Sequence, residues 1–391
     1  MSRKIRLGMV GGGTGAFIGD VHRKAAALDG QIELVCGAFS SSAERSRESG
    51  KQLFLPEDRV YGTFKEMFEK ESALPEGERM DVVSIVTPNH MHFPPAKMAL
   101  ENGFHVICDK PMTVNLEEAL VLRSLVRSTG LIFALTHNYT GYPMVKQARH
   151  MIREGVLGEL RKVVVEYPQG WLSSSLESEG NKQASWRTDP KLAGPAGALG
   201  DIGTHAENLA EYVSGLQISK ICADLGAVVK GRKLDDDCNI LLRFHNGARG
   251  VLHASQISIG EENNLKIYIY GDKAGIEWHQ HEPNTLIVRY PDKPAELYRA
   301  GVDHGYLSEA SLVHTRIPSG HPEGFIEAFA NIYRNVALAV RRRLEGSGAE
   351  EDSIYDFPGV EDGVRGLAFV EAVIASSESD RKWTDFNPKT L

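Results

Sequence analysis

Asp109-Lys110-Pro111 follows the apolar run Phe104-His105-Val106-Ile107-Cys108. Lys is seldom buried without a partner, and Pro fixes its own φ and pushes the residue before it towards extended backbone. A lysine held at the end of a buried strand can donate to a substrate oxygen on which negative charge develops, and partial burial would lower its pKa. Asp201 and His205 stand four apart, so on a helix they share one face, beside an apolar side made by Ile202, Ala206 and Leu209. The imidazole can take a hydroxyl proton, and the carboxylate can orient it and stabilise its charged form. The structural alternative makes Asp201 a helix N-cap and His205 a satisfied core histidine. Upstream, Gly11-Gly12-Gly13-Thr14-Gly15-Ala16 fits G-x-G-x-x-A. Gly11 permits a tight turn, and Gly13 lets the backbone approach a pyrophosphate. The helix entered through Phe17 and Ile18 offers amide donors and a positive dipole end. Gly19 could close the motif instead of Ala16, which would lengthen the loop. A dinucleotide loop, a strand-end lysine and an Asp/His pair in one chain imply hydride transfer.

These groups need elements to place them. Residues 1–137 alternate strand and helix patterns. Strands are expected over Ile5 to Val10, Ile32 to Phe39, Val60-Tyr61, Asp81 to Thr87, Phe104 to Cys108 and Leu131 to Leu135, with Asn115 capping a helix that Gly130 stops. Such β-α repeats predict an α/β Rossmann domain, a doubly wound parallel sheet with helices on both faces. Thr87, Pro88 and Asn89 follow a strand and should border a cofactor at the sheet's carboxyl edge, as should His92 and Asp109. The second strand lacks the terminal acid that binds an NAD ribose. It ends in Phe39-Ser40-Ser41-Ser42 with Arg45 nearby. Hydroxyls and an Arg suit a 2′-phosphate, while a Ser cap on a solvated helix is the plain alternative, so NAD and NADP both stay open.

Residues 138–391 predict an α+β domain with a large, mostly antiparallel open sheet. Asn246-Gly247 signals a two-residue hairpin. The stretch Gln169 to Gly200 is long, irregular and rich in Ser, Gly and Pro, as functional loops are. Tyr139, Tyr142, Trp171 and Trp186 could line a sugar pocket or simply pack. An amphipathic helix carrying Phe325, Phe329, Ile332, Tyr333, Val336 and Val340 closes this domain, and Glu345 to Asp352 reads as an exposed loop.

Composition narrows the class. A net charge of −8 argues against a nucleic-acid surface, and Arg341-Arg342-Arg343 fits the end of a helix. Four isolated cysteines without a CxxC pair fit a reducing compartment. Asp201, His205, His90-x-His92 and His279-x-His281 could be metal ligands, but no third ligand is placed with them and no metal is expected. Neither a signal peptide nor an apolar stretch long enough for a bilayer is present, so a cytoplasmic, soluble protein is expected.

The whole set resembles the Gfo/Idh/MocA (glucose–fructose oxidoreductase, inositol dehydrogenase, MocA) family. The resemblance rests on the Gly11–Gly13 loop with Gly19 and His22, Thr87-Pro88-Asn89 with His92, Asp109-Lys110-Pro111, Gly200-Asp201-x-Gly203-x-His205, and Trp186-Arg187-x-Asp189-Pro190. It implies NAD(P)-dependent oxidation or reduction of sugars, inositols or their derivatives, with Lys110, Asp201 and His205 as catalytic residues and Trp186 and Arg187 near the substrate. It also implies a homodimer or homotetramer formed through the open sheet face. The family's motif usually begins with Glu, where this chain has Asp109. Two other functions fit the same motifs: redox-assisted glycoside cleavage or epimerisation with a recycled cofactor, and a non-catalytic NAD(P) sensor.

Overall fold

The computed structural model describes residues 3–346 and 355–387, so most of the polar stretch expected as a loop over Glu345 to Asp352 lies outside the described residues. The chain forms two compact units, Met1–Asn138 with Phe325–Val364, and Tyr139–Gly324 with Arg365–Leu391.

In the first unit, β1 (Ile5–Gly11), β2 (Ile32–Ala38), β3 (Val82–Val86), β4 (His105–Cys108) and β5 (Phe133–Leu135) form a sheet in the order β2-β1-β3-β4-β5. Every pairing is parallel. β3 and β4 are buried throughout, because helices cover both faces, and they therefore read as largely apolar runs interrupted only by Ser84 and His105. The crossing helices are Phe17–Leu28 (α1), Ala43–Gln52 (α2), Phe64–Ser72, Phe93–Glu101 and Leu116–Thr129. Asn115 caps the last of these by accepting from Glu118 N, and Gly130 ends it at φ 68°. Val60-Tyr61, expected as a strand, makes only an isolated bridge to Gly37. Strand order reverses between β1 and β3, which opens a crevice at their carboxyl ends, where the glycine loop and Thr87 emerge.

The helix Phe325–Leu344, expected in the second domain from its place in the chain, belongs to the first unit. Its Phe329, Ile332, Tyr333, Val336 and Val340 share one buried cluster with Ile5, Leu7, Val21, Ile32 and Val82. Side chains buried this fully contribute about 1.5–3 kcal/mol each, so the helix is part of the sheet's core. Periodicity shows which face of a helix is apolar but not what covers it. The arginines at its end bond to first-unit groups: Arg341 to Gln31 Oε1 at 2.7 Å and Arg343 to Gly130 O at 2.5 Å.

The second unit holds a nine-stranded sheet built from β6 (Leu160–Pro168), β7 (Ile218–Gly226), β8 (Asp237–Phe244), β9 (Arg249–Ser255), β10 (Lys266–Gly271), β11 (Gly275–His279), β12 (Thr285–Arg289), β13 (Glu296–Arg299) and β14 (Thr384–Asp385). Its order is β13-β12-β11-β10-β6-β9-β8-β7-β14, and only β6 and β9 pair in parallel. The β8–β9 connection is a three-residue loop rather than the two-residue hairpin expected. Phe244 and Ala248 pair across it, and Gly247 takes the left-handed position at φ 90°. The long stretch before residue 200 contains the short helices Lys182–Arg187 and Pro190–Ala193 and runs into a π-turn, Leu199–Gly203, ahead of the helix Thr204–Ser214. No described helix is long and apolar enough to cross a membrane.

The entry of α1 depends on Gly19. A Cβ there would lie 2.3 Å from Gly12 Cα and 2.5 Å from Gly12 O. Replacing Gly19 with Ala should therefore cost about 1–3 kcal/mol in denaturant unfolding. Ala16→Gly, which adds no atom, should leave the midpoint within the error of the wild type.

Candidate functional site

The glycine loop turns tightly where β1 ends: Gly11 and Gly12 have φ of 83° and 69°. Gly13 N donates to Phe39 O at 3.2 Å, and a Cβ on Gly13 would sit 2.8 Å from both Phe39 O and Ser49 Oγ. Thr14 pins the loop to α2, its N on Ser49 Oγ at 3.1 Å and its hydroxyl on Gln52 Oε1 at 2.9 Å. Ala16 is the N-cap of α1 and offers no side-chain acceptor, so the first amides of that helix, at Phe17 and Ile18, are left for an anion. Phe17 is 72% exposed while Ile18 packs towards the core. The close-contact glycine of the motif is Gly19, not Ala16. The loop is therefore three residues longer than the G-x-G-x-x-A reading.

At the end of β2, Ser40 Oγ accepts from Ser42 N, and Ser42 caps α2 by accepting from Arg45 N. Ser41 and Arg45 are exposed. The cap reading and the cofactor reading thus hold side by side, since Ser42 caps while Ser41 and Arg45 face outward.

After β3 and β4 the chain is braced by His92, which is buried. Its Nδ1 lies 2.6 Å from Pro111 O and its Nε2 2.8 Å from Thr87 O. Burial lowers its pKa, against the pull of Asp109 and the two carbonyls. Thr87 donates to Met91 O at 3.0 Å and packs on Gly11, and Pro88 and Asn89 lead into a short 3-10 turn, Asn89–Met91. Asp109 Oδ1 accepts from Lys110 N at 2.9 Å and from Thr136 Oγ1 at 2.8 Å. Burial pushes this carboxyl up, but His22, Lys110 and His92 more than offset it and hold it well below the usual range. Lys110 is half-buried, and the Lys110–Pro111 peptide is cis. His137 lies buried nearby, its pKa lowered to about 3, chiefly by burial and then by the charge of Lys110.

In the second unit Asp201 sits inside the π-turn, and the regular helix begins only at Thr204. Asp201 and His205 are therefore not on one α-helical ridge, and Asp201 is not the N-cap, which is Gly203. Instead Asp201 Oδ2 accepts from Arg187 Nε at 3.2 Å and from Gln256 Nε2 at 2.9 Å. The Arg187 guanidinium lies 4.1 Å from the Trp186 ring centroid and 5.7 Å from that of Trp171. His205 is 6% exposed and meets Tyr139 edge-on at 4.8 Å, with Tyr167 at 6.3 Å. The Tyr139 and Tyr167 hydroxyls bond to each other, and burial raises the pKa of both. Tyr142 stacks on Tyr139 and packs on Trp278, which makes it core.

Four polar neighbours escaped the sequence reading. Gln256 holds Asp201. Gln169 joins Trp171 Nε1 at 2.9 Å and also bonds Asn263, which accepts from Tyr167 at 3.4 Å. Asp235 clamps the entry to the π-turn, its carboxylate accepting from Gly197 N and Leu199 N at 2.7 Å each while its own O accepts from Ala198 N. Burial raises the Asp235 pKa against those amides. Amides and lone aspartates in loops carry no spacing signal, so only the structure reveals them. Among the described residues no cluster of three or more His, Cys, Asp or Glu could hold a metal.

A dinucleotide loop on a doubly wound sheet, followed by an open-sheet unit with an Asp/His site, defines an oxidoreductase of the NAD-binding kind. Residues 5–137 match the family model described as "Oxidoreductase family, NAD-binding Rossmann fold", and residues 145–277 match the "GFO/IDH/MocA C-terminal domain". The chain belongs to the Gfo/Idh/MocA family and is an NAD(P)-dependent oxidoreductase. It is 32% identical to the uncharacterized oxidoreductase YfiI of Bacillus subtilis, covering 99% of this chain and 98% of that one. Levoglucosan dehydrogenase of Pseudarthrobacter phenanthrenivorans is 26% identical over 98% of each chain. An inositol dehydrogenase homolog from Azotobacter vinelandii, solved with NADH and myo-inositol, aligns with TM-score 0.90 at 34% identity, covering 99% of this chain and 98% of that one. The residues present fit such a dinucleotide, because the tight glycine turn after β1 carries no side chain at Gly11 to Gly13 and the first turn of α1 has no side-chain cap on its amides.

The buried neutral His137 has a pH consequence. The unfolded chain takes up its proton near pH 6.5 and the folded protein only near 3, so stability falls as pH drops through that window, by about 1.4 kcal/mol per unit for this group. In urea titrations at pH 7 and pH 4.5, His137→Asn should narrow the wild type's loss of stability. An equal loss in both proteins would remove His137 as its source.

Proposed function

We propose that this protein oxidises a secondary hydroxyl of a sugar, an inositol or a sugar derivative, or reduces the matching ketone. The observation that carries the reading is His205, a buried imidazole walled by Tyr139 and Tyr167 in the unit that also holds Asp201 on Arg187 and Gln256. His205 takes the proton from the reacting hydroxyl oxygen, or returns it in ketone reduction. Lys110 is the donor to a substrate oxygen on which negative charge develops. Asp201, fixed by two donors, positions substrate or imidazole. Trp171, Trp186 and Arg187 offer flat and cationic surfaces to a polyol, and the amides of Gln169 and Asn263 can meet its hydroxyls. The nicotinamide dinucleotide, when bound, supplies the hydride acceptor or donor. Gly11, Gly13, Thr14 and the first amides of α1 would hold its pyrophosphate, with Thr87, Pro88 and Asn89 bordering it. Ser40, Ser41 and Arg45 stand where the ribose is read, and the missing acid leaves room for NADP as well as NAD. The myo-inositol bound by one relative and the levoglucosan in the name of another support a polyol substrate.

A homodimer or homotetramer completes the reading. Leu241, Val251, Val164, Tyr268, Glu277, Ile287 and Leu297 fall in register across the open face of the large sheet, apolar or aromatic at every position but Glu277. Leu241 is 48% and Leu297 53% exposed, a row that a second copy would cover.

A panel of inositols, monosaccharides, anhydrosugars and glycosides, offered with NAD and NADP and followed by cofactor reduction, tests the activity. Lys110→Ala and His205→Ala should each cut turnover about 10²–10⁴-fold while changing dinucleotide affinity only a few-fold. Wild-type turnover in either variant would remove that residue from the mechanism. Leu241→Lys should lower the mass measured by light scattering if the sheet face pairs subunits.

A further inference from the structure

The core of the first unit contains three polar side chains that neither the fold nor the glycine loop requires. His22, on α1, is fully buried against the Phe329 and Tyr333 rings. Its Nδ1 lies 2.8 Å from Tyr333 OH and 3.3 Å from Ser84 Oγ, and those two hydroxyls are 2.8 Å apart. Its Nε2 has no hydrogen-bond partner among the described residues and stands 3.8 Å from Asp109 Oδ1. Burying a hydroxyl, a phenol and an imidazole in an apolar core costs free energy unless their contacts are satisfied, and in this core they form one chain leading to one carboxylate.

Proton counting gives the chain a direction. If Ser84 donates to the Tyr333 oxygen and Tyr333 donates to His22 Nδ1, the remaining imidazole proton sits on Nε2, facing Asp109. That carboxylate also accepts from Lys110 N, so its orientation fixes the Lys110 backbone. The groups facing Asp109 come from every neighbouring element of the unit: His22 from α1, His92 from beyond β3, Cys108 and Lys110 from β4 and its end, Thr136 and His137 from the end of β5, and Tyr333 from the Phe325–Leu344 helix.

We propose that His22 and Tyr333 are positioning residues for Lys110: the chain from Ser84 through Tyr333 and His22 holds the Asp109 carboxylate as an ordered anion that fixes the lysine's backbone and supplies its counter-charge. The proposal rests on reading Lys110 as the donor to the substrate oxygen. It gives the Phe325–Leu344 helix, which carries Tyr333 more than 220 residues beyond Lys110 in the chain, a part in the chemistry.

The test uses Tyr333→Phe, which keeps the ring and removes the hydroxyl, His22→Leu, and His22→Gln, which keeps an amide donor. Carbon-13 NMR of protein labelled at aspartate, with Asp109→Asn for assignment, reads the carboxylate directly. Its titration midpoint should rise by about one pH unit in Tyr333→Phe, further in His22→Leu, and less in His22→Gln. In the same variants kcat should fall about 5–10-fold for Tyr333→Phe with KM and dinucleotide affinity within about two-fold, as expected when a donor to the transition state is displaced. An Asp109 titration like the wild type's in both Tyr333→Phe and His22→Gln overturns the proposal, as does unchanged kcat in both. If the wild type turns over none of the polyols, the dehydrogenase reading falls, and the Asp109 titration alone still decides the chain of contacts.

Discussion

A carboxylate at the end of a buried parallel strand stays charged only if donors and positive charge surround it, and Asp109 imposes that demand on the first unit. The strand before it, β4, is buried along its whole length. Thr136 must therefore reach over from the end of β5, and Lys110 must turn its own amide back. Breaking a buried charge from its partners costs about 3–5 kcal/mol, so these contacts bind the strand ends together more firmly than van der Waals packing alone would. His92 extends the bracing by joining the segments after β3 and β4 through Thr87 O and Pro111 O. The carboxyl edge of the sheet, where a dinucleotide is handled in this fold, is rigid because a charge has been placed behind it.

The second unit reaches rigidity by another route. Its key carboxylate, Asp201, sits in a π-turn, a geometry that wastes a backbone hydrogen bond and persists only when the surroundings hold it. Asp235 supplies that hold from outside the helix, with both carboxylate oxygens on the amides that enter the turn, and Gly197 is needed there because a Cβ would lie 2.1 Å from Asp235 O. Arg187 and Gln256 then fix the Asp201 side chain.

Much of this was legible in the residues. Largely apolar runs marked β3 and β4, Asn115 and Gly130 marked the ends of a helix, and the strand-end lysine and glycine loop announced themselves by being poor choices for packing. What stayed hidden has a common cause. The choice between Ala16 and Gly19 turns on how closely α1 passes the glycine loop, where a Cβ on Gly19 would lie 2.3 Å from Gly12 Cα, a property of two segments together. The Phe325–Leu344 helix shows its apolar stripe in sequence but not its host. Asp201 and His205 at i, i+4 look helical because the spacing is right, and only Asp235, more than thirty residues on, makes the turn something else. Gln169, Gln256 and Asn263 act through position alone, since an amide in a loop is the commonest of residues.

The division of labour between the units follows from these chemistries. Handling a dinucleotide needs backbone amides and glycines, which tolerate almost no variation: every Cβ added in the cradle at Gly11, Gly12 or Gly13 meets an atom within 2.9 Å. Meeting a polyol needs side chains that can both donate and accept, and Gln169 and Asn263 have that property, each able to serve a hydroxyl of either orientation. The walls of His205 are the Tyr139 and Tyr167 rings, and Asn263 reaches them only through the Tyr167 hydroxyl, 3.4 Å away. If, as proposed, proton transfer rests on His205 and recognition on Gln169 and Asn263, a change of substrate would fall on the amides while the hydride chemistry stays with the histidine.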